Sequence, residues 1–542
     1  MSECAKLRTR ERVARGGRVV KWKGQVASMA PSVFLASVSV VALSVGTVSA
    51  EVISTPQNSR VVFINDEDNT ITSTGSVSLT TEGGPAVVVA PNYSSTFTNN
   101  GTITGPATSS PLGTGVLVDG ELQASGQIVN NGTIGVDITA FARVNGVGIE
   151  LHETVAGRVA NTGTVTVSVA ARTSSDAQAA GVLFDDVVQN SAQVSNSGVI
   201  TASAASALSN AANASGLSFT SDVNAGITNS GTIGATARNG AKISAYGIQV
   251  AGQLNGSINN AGTIQATATQ NGRSADAIGV RVTDRVTGNI HNSGTVSANA
   301  KAKTSAAAWA FHLVGGLTGN FTNTKTLNAT ATGVSSSADA AGVYIQNGVT
   351  GNLSNGATIT ATASSPTAGN GSATAAGFYI QGGMSGDINN SGTLDVTALS
   401  PKDDAEANGV YVSGGMTGNI TNSGRIDVKA LTEGDEAEAN GVRVRNGLTG
   451  SILNSGIVNV RAEGVDSATA IGFYVSGGLT GNFTNTGSIT AVGIDHVNEE
   501  VETYGLYVSR GMTGNITNIG TVNVRGKGIL LQPPPAITLV AA

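Results

Sequence analysis

A five-residue phrase, Asn-x-Gly-Thr-Ile or a close variant, recurs fourteen times between Asn99 and Val522, at steps of 31 to 35 residues. A near-constant step over most of a chain describes a solenoid. Each repeat can bury its apolar face only against its neighbours, so the repeats fold as one elongated unit. A repeated unit also builds a long repetitive surface, which weighs against a single catalytic pocket.

The stretch from Asn408 to Ala437 shows the unit. Three short runs alternate apolar and polar residues, and glycine turns separate them. Val410 and Val412 share one face of the first run, Ile420 and Asn422 of the second, and Ile426, Val428 and Ala430 of the third. Period two is the strand signal, and no run has a 3.6-residue period. Three strands per repeat predict an all-β fold, a right-handed parallel β-helix (β-solenoid) of about 14 rungs of ~32 residues. Rungs about 4.8 Å apart give a rod on the order of 65 Å. The hydrophobic content of 40% is mostly Ala, Val and Ile, which suits narrow β cores.

The asparagine of the phrase falls on the inward face at a corner, as at Asn390, Asn422, Asn454, Asn485 and Asn518. Stacked amides can hydrogen-bond from rung to rung. The glycine two residues later is expected to supply a positive φ for the turn. Lys325 and Ala357 replace it in two repeats, and those corners must bend differently. Variable sequence gathers between the third run and the next first run. This loop is Ala/Ser-rich early (Ala202 to Asn213) and acidic late, with Asp403, Asp404, Glu406, Glu433, Asp435, Glu436, Glu438, Glu499, Glu500 and Glu502.

Residues 1–50 read as a signal peptide. A basic segment from Lys6 to Lys23 precedes an apolar run from Val33 to Val48, and small residues end it at Ala50. That run is too short to span a bilayer as a helix. The segment holds 8 of the 29 basic and 2 of the 35 acidic residues, so its removal would take the net charge from −6 to −12. An acidic surface disfavours nucleic acid as a partner. The single cysteine, Cys4, lies in the same segment. Residues 51–92 lack the full repeat and are expected to form an N-terminal cap. Residues 93–530 form the repeats, and 531–542 a tail in which Pro533, Pro534 and Pro535 cannot continue a central strand.

One outward column stands out as a binding face: Tyr344, Tyr379, Tyr411, Arg443, Tyr474 and Tyr507, preceded by Arg281 and His312. Exposed tyrosines present rigid amphipathic area that stacks on sugars or proteins. Aromatic ladders also stabilise adjacent strands by about 0.2–1 kcal/mol per pair. Threonines on the third run, such as Thr358, Thr360 and Thr362, are interrupted elsewhere by Arg425, Asp427 and Lys429, which breaks any regular water-ordering array. The histidines His152, His291, His312 and His496 lie in different repeats. No nucleophile elbow, zinc-protease motif or phosphate loop is present. No catalytic residue, metal site or cofactor is therefore expected. The acids near 433–438 lack the spacing of a calcium loop.

The unit Gly-Val-Tyr-Val-Ser-Gly-Gly-Met-Thr-Gly-Asn-Ile-Thr-Asn-Ser-Gly (409–424) and its relatives resemble the β-helical passenger domains of bacterial autotransporters, the type V secretion proteins. The resemblance covers about residues 51–530. It implies an exported protein, at the cell surface, outer membrane or extracellular, that adheres or aggregates through its elongated surface. The implied partners are a glycan or protein of a host or neighbouring cell, with no nucleic acid. The family also implies a C-terminal translocator barrel of alternating ~10-residue strands. None is visible in these residues, so a separate or missing translocator is expected. The alternative is a carbohydrate-active enzyme, a polysaccharide lyase or hydrolase, on the same scaffold.

Overall fold

The computed structural model describes residues 50–527 and 540–541, except 65, 80–82, 107–110, 174, 208–209, 271, 367–370 and 498–499. The expected signal peptide lies outside the described residues but for Ala50. So does the expected tail, apart from Val540–Ala541.

The described chain contains strands and no helix. Three parallel sheets of sixteen strands run its length, and each strand pairs with its counterpart one turn earlier and later. In the repeat read above, Ile420–Asn422 belongs to an asparagine sheet, Arg425–Thr432 to a threonine sheet and Ala405–Val412 to a tyrosine sheet. This is the expected β-solenoid, with about fourteen turns of ~32 residues. Register is exact to the residue: Asn390 pairs with Asn422, Ile388 with Ile420, and Tyr379 with Tyr411. Residues 51–92 contribute strands to the same three sheets, from Val52–Ile53 to Gly84–Val89. They form two shorter turns at the start of the solenoid.

The core is the column of inward side chains. Val410, Val412, Ile420, Ile426, Val428 and Ala430 are each at most 2% exposed. Phenylalanines pack edge-on within this core, Phe311 against Phe321 at 5.0 Å and Phe473 against Phe483 at 5.5 Å. Fully burying one such side chain stabilises by about 1.5–3 kcal/mol.

The asparagine ladder is complete. Each amide from Asn99 to Asn485 donates from Nδ2 to the Oδ1 of the next at 2.7–2.8 Å, ending on Asn518. The glycine two residues on has a different reason from the expected one. Its φ is not positive; positive values fall in the turn before the asparagine sheet, as at Gly418 (140°) and Gly450 (146°). Gly424 is needed because a Cβ there would lie 2.0 Å from the carbonyl oxygen of Gly392, one turn below. At ordinary corners two amides reach the asparagine carbonyl below, as Ser423 and Gly424 reach Asn390. Around the substituted corners the second bond is missing, first at Gly294 and then at Lys325 and Ala357. The Ala357 N–H faces Asn355 Oδ1 at 3.3 Å instead. The threonine-sheet strand after Lys325 accordingly begins one residue late, at Leu327.

Two further differences bear on the surface. The variable loop is shorter than read, because the strands on either side run into it. Val199–Ser206 and Ala211–Phe219 take up most of the Ala/Ser-rich segment, with Ala202, Ala204, Ala212 and Ala214 buried. A fourth, eight-stranded sheet of two-residue strands, such as Met416–Thr417, runs beside the asparagine sheet from Val286 to Thr513.

Candidate functional site

The tyrosine sheet carries most of the chemistry on the outside of the solenoid. Its strands do not alternate cleanly. In Ala405–Val412, Gly409 drops out of the pairing and both Gly409 and Val410 are buried. A Cβ at Gly409 would meet Ile426 Cγ2 at 2.6 Å and the Gly441 carbonyl oxygen at 2.4 Å, so only glycine lets the strand press inward there. The outward set therefore resets at the bend. Glu406 and Asn408 precede it, and Tyr411 follows.

The expected tyrosine column is real. Pairing aligns Arg281, His312, Tyr344, Tyr379, Tyr411, Arg443, Tyr474 and Tyr507. His312 stacks on Tyr344 with ring centroids 4.9 Å apart and planes 4° from parallel. Tyr344–Tyr379 and Tyr379–Tyr411 follow at 4.9 Å, and Tyr474–Tyr507 at 5.3 Å. Arg443 fills the gap, its guanidinium 5.3 Å from the Tyr411 ring and 5.5 Å from that of Tyr474. The side chains are less exposed than the sequence reading supposed. Tyr411 is only 6% exposed, and the other four tyrosines are half-buried. Tyr344 is further held by hydrogen bonds of 2.8 Å, from Gln346 Nε2 and to Gln381 Oε1.

Acids placed in the loop by the sequence reading stand on the same face. Glu406, Glu436, Glu438 and Glu502 lie within strands. Arg443 bonds Glu438 at 2.6 Å and Glu406, one turn below, at 3.1 Å. It is a neutralised bridge rather than a free cation. Burial and the neighbouring Glu438 push the Glu406 carboxyl up against the pull of Arg443. Burial alone would lower the Arg443 value, but Glu438 and Glu406 outweigh it and raise it.

Two and four turns below Glu406 the sheet holds two further carboxyls that no ion pair neutralises. Asp276 and Asp339 align in the Glu406 column on either side of Ala307. Neither carboxyl forms a hydrogen bond or ion pair among the described residues. Burial pushes both carboxyls up to about 6, and for Asp339 the charge of Asp276 adds to it. His312 is 6% exposed, neither ring nitrogen has a partner, and burial takes it down to about 3. Trp309 sits 4.5 Å from it, and Arg281 donates to the Tyr246 hydroxyl at 3.1 Å. The sequence does not single out this cluster, because Asp276 and Asp339 stand two repeats apart in no shared motif and align only through the strand register.

Other surfaces are plainer. Two shallow grooves of about 360 and 700 Å³ meet at Gly415 beside the short sheet, lined by glycine backbone and by threonines such as Thr449 and Thr480. A second, exterior ladder runs there, in which Asn320 Oδ1 accepts from the Asn352 amide at 2.9 Å and Asn419 Oδ1 from that of Ser451. On the threonine sheet, Asp427 pairs with Arg425 and accepts from Asn459. Asp403, Asp404 and Asp435 cluster with one carboxylate oxygen each within 4.8 Å.

No family model matches this chain, and no curated protein or solved structure shows significant similarity to it.

Proposed function

We propose that the chain is an exported recognition rod that binds a glycan of a host or neighbouring cell along the outer face of the tyrosine sheet. One observation carries the reading: from His312 to Tyr507 a ring or guanidinium recurs at every turn, with neighbouring groups 4.9–5.5 Å apart. Such a row offers many weak stacking contacts to one extended ligand, and linked contacts multiply into avidity. The autotransporter-like repeat, the basic and then apolar N-terminus and the acidic balance support display outside the cell, with a translocator as delivery partner.

The test is binding of fluorescent protein to a glycan array and to whole cells. The variant carries Tyr344→Ser, Tyr379→Ser, Tyr474→Ser and Tyr507→Ser. Tyr411 is kept because it is buried. Binding should fall at least tenfold while the β-sheet circular dichroism spectrum is retained. Undiminished binding would remove the tyrosine face from the reading.

A second reading, hydrolysis of the bound glycan, is favoured by Asp276 and Asp339. Two strand spacings put them about 9.6 Å apart, near the separation of about 6.5–9.5 Å at which one carboxyl protonates a leaving group and the other activates water. Release of reducing ends from a bound polysaccharide, lost in Asp276→Asn and Asp339→Asn, would support it. No release by the parent chain would exclude it.

A further inference from the structure

Near the N-terminal end, a different cluster interrupts the repeat. Glu150 occupies the tyrosine-column position of its turn, between Leu117 and Leu183 in the neighbouring strands. A carboxylate set between two leucines loses hydration, and it is costly there unless a cation or donors satisfy it. His152 follows two residues on, just beyond the strand Val144–Leu151. Asp119 and Asp185 take the equivalent place one turn below and one turn above, each directly after the residue that pairs with Leu151.

One ligand atom from each of Glu150, His152 and Asp185 lies within 4.8 Å of the others. His152 Nε2 is 3.3 Å from Glu150 Oε1. The remaining atoms of these groups are held from behind. Glu150 Oε2 accepts a 2.7 Å hydrogen bond from Thr114 Oγ1, and His152 Nδ1 faces Asp119 Oδ1 at 3.6 Å. The Asp185 carboxylate has no hydrogen bond or ion pair among the described residues, while its backbone bonds Leu151 and Thr220. An imidazole whose far nitrogen faces a carboxylate, beside a carboxylate whose far oxygen takes a hydroxyl, is how metal ligands are oriented by their surroundings.

We infer that Glu150, His152 and Asp185 form a binding site for one divalent transition-metal ion, with Zn²⁺ as the best-fitting probe. The donor set decides the class. Imidazole selects against Ca²⁺ and Mg²⁺, whose ligands are oxygen, and two carboxylates with one imidazole suit Zn²⁺. Tetrahedral bonds of about 2.1 Å place donors about 3.4 Å apart, which the His152–Glu150 pair already meets, and Asp185 closes by side-chain rotation. Asp119 is a positioning residue that orients the imidazole and does not ligate. The ligands come from adjacent turns, so the ion ties two turns of the solenoid together.

The experiment is isothermal titration of the tag-free full chain with Zn²⁺, alongside Co²⁺ absorption spectra as a readout of coordination. One ion per chain is expected, with visible Co²⁺ bands of a four-coordinate site. His152→Gln and Asp185→Asn should abolish both signals. Asp119→Asn should weaken affinity by about 10–100-fold, the range for loss of an orienting partner. His496→Gln, whose ring pairs with Glu463 at 2.9 Å, should change nothing. Circular dichroism checks that each variant keeps its sheets. A parent chain that binds no Zn²⁺ overturns the site, and so does binding that survives His152→Gln. If both ligand variants lose their sheets, His152→Cys, which restores a zinc ligand, must recover binding or the inference fails.

Discussion

Arg443 and Glu438 lie five residues apart in one strand, yet their side chains meet at 2.6 Å. In a straight strand residues five apart are about 17 Å from one another and on opposite faces. The inward press at Gly441 makes the contact possible: a Cβ there would lie 2.5 Å from the Gly472 carbonyl oxygen. The bend thus converts a repetitive sheet into a surface where charge and aromatic rings share one face.

Removing Arg443 should therefore cost stability. Arg443→Ala leaves Glu406 and Glu438 facing each other without a cation and separates Tyr411 from Tyr474. The glutamates are 37% and 33% exposed, so solvent absorbs part of the penalty. A loss of about 2 kcal/mol is expected, with Arg443→Lys intermediate because lysine keeps the charge and loses the planar fork. Urea denaturation followed by circular dichroism measures it. A midpoint unchanged by Arg443→Ala would mean that the bridge contributes nothing.

Asp276 and Asp339 set a pH dependence of definite sign. Their folded values, about 6, lie above the ordinary 3.8. Between about pH 4 and 6 the folded state holds more protons than the unfolded one, so stability falls as pH rises through that window. His312 acts oppositely: its folded value of about 3 lies below the ordinary 6.5, so stability falls as pH drops from 6.5 toward 3. Lys242 and Arg281 face Asp276 and reduce its shift. Comparing the parent with Asp276→Asn/Asp339→Asn isolates the acids. The double variant should be more stable at pH 7.5 by on the order of 1–3 kcal/mol and no more stable at pH 4. Parallel stability curves across that range would contradict the assignment.

These sites mark the boundary of what the sequence discloses. Period-two runs and a fixed 31–35 step fix strands, register and the inward asparagines, because a one-residue slip would turn every side chain to the other face. Ala202, Ala204, Ala212 and Ala214 also alternate, but alanine is a weak strand former, so the same pattern reads as loop. The asparagine after Thr-Gly, as at Asn419, builds an exterior ladder through its backbone neighbours, which composition does not reveal. The glycine column at Gly409 hides the reset that brings Glu406 and Tyr411 to one face. The metal cluster joins Glu150 to Asp185, 35 residues apart, and is visible only once register places adjacent turns side by side.

The bend glycines make a further prediction. A Cβ at Gly342 would meet Ile359 Cγ2 at 2.2 Å, and one at Gly279 would meet Val296 Cγ1 at 2.2 Å. Each partner lies seventeen residues on and is β-branched. At Gly377 the partner is Leu394, whose nearest side-chain atom stands off at 3.5 Å. By the same spacing Ala310, the one alanine in this column from Gly148 to Gly505, falls opposite Leu327. An unbranched Cβ across the core leaves room for a methyl. Gly342→Ala should cost at least about 2 kcal/mol. Ile359→Leu in the same chain should recover at least about 1 kcal/mol of that in a double-mutant cycle. A coupling near zero would show that the clash resides in the backbone alone.

The asparagine ladder should be cooperative in its middle and weak at its end. Asn422 accepts from Asn390 and donates to Asn454, both at 2.8 Å, and is 1% exposed. Asn422→Ala strands a buried donor and a buried acceptor. Leaving one such group unsatisfied costs about 1–3 kcal/mol, so a loss of about 2–4 kcal/mol is expected. Asn518 is exposed and takes part in the ladder only by accepting from Asn485, so Asn518→Ala should cost under about 1 kcal/mol because water replaces the lost partner. Asn422→Asp tests directionality. A carboxylate still accepts from Asn390 but cannot donate to Asn454, and it places a charge between turns, so it should destabilise more than alanine at pH 7 and recover part of the loss at pH 3 as it protonates. Native-state hydrogen exchange reads the result turn by turn. Protection should fall most in the strands Ile388–Asn390 and Ile452–Asn454 that flank Asn422, and a uniform fall along the solenoid would mean that the ladder does not act locally.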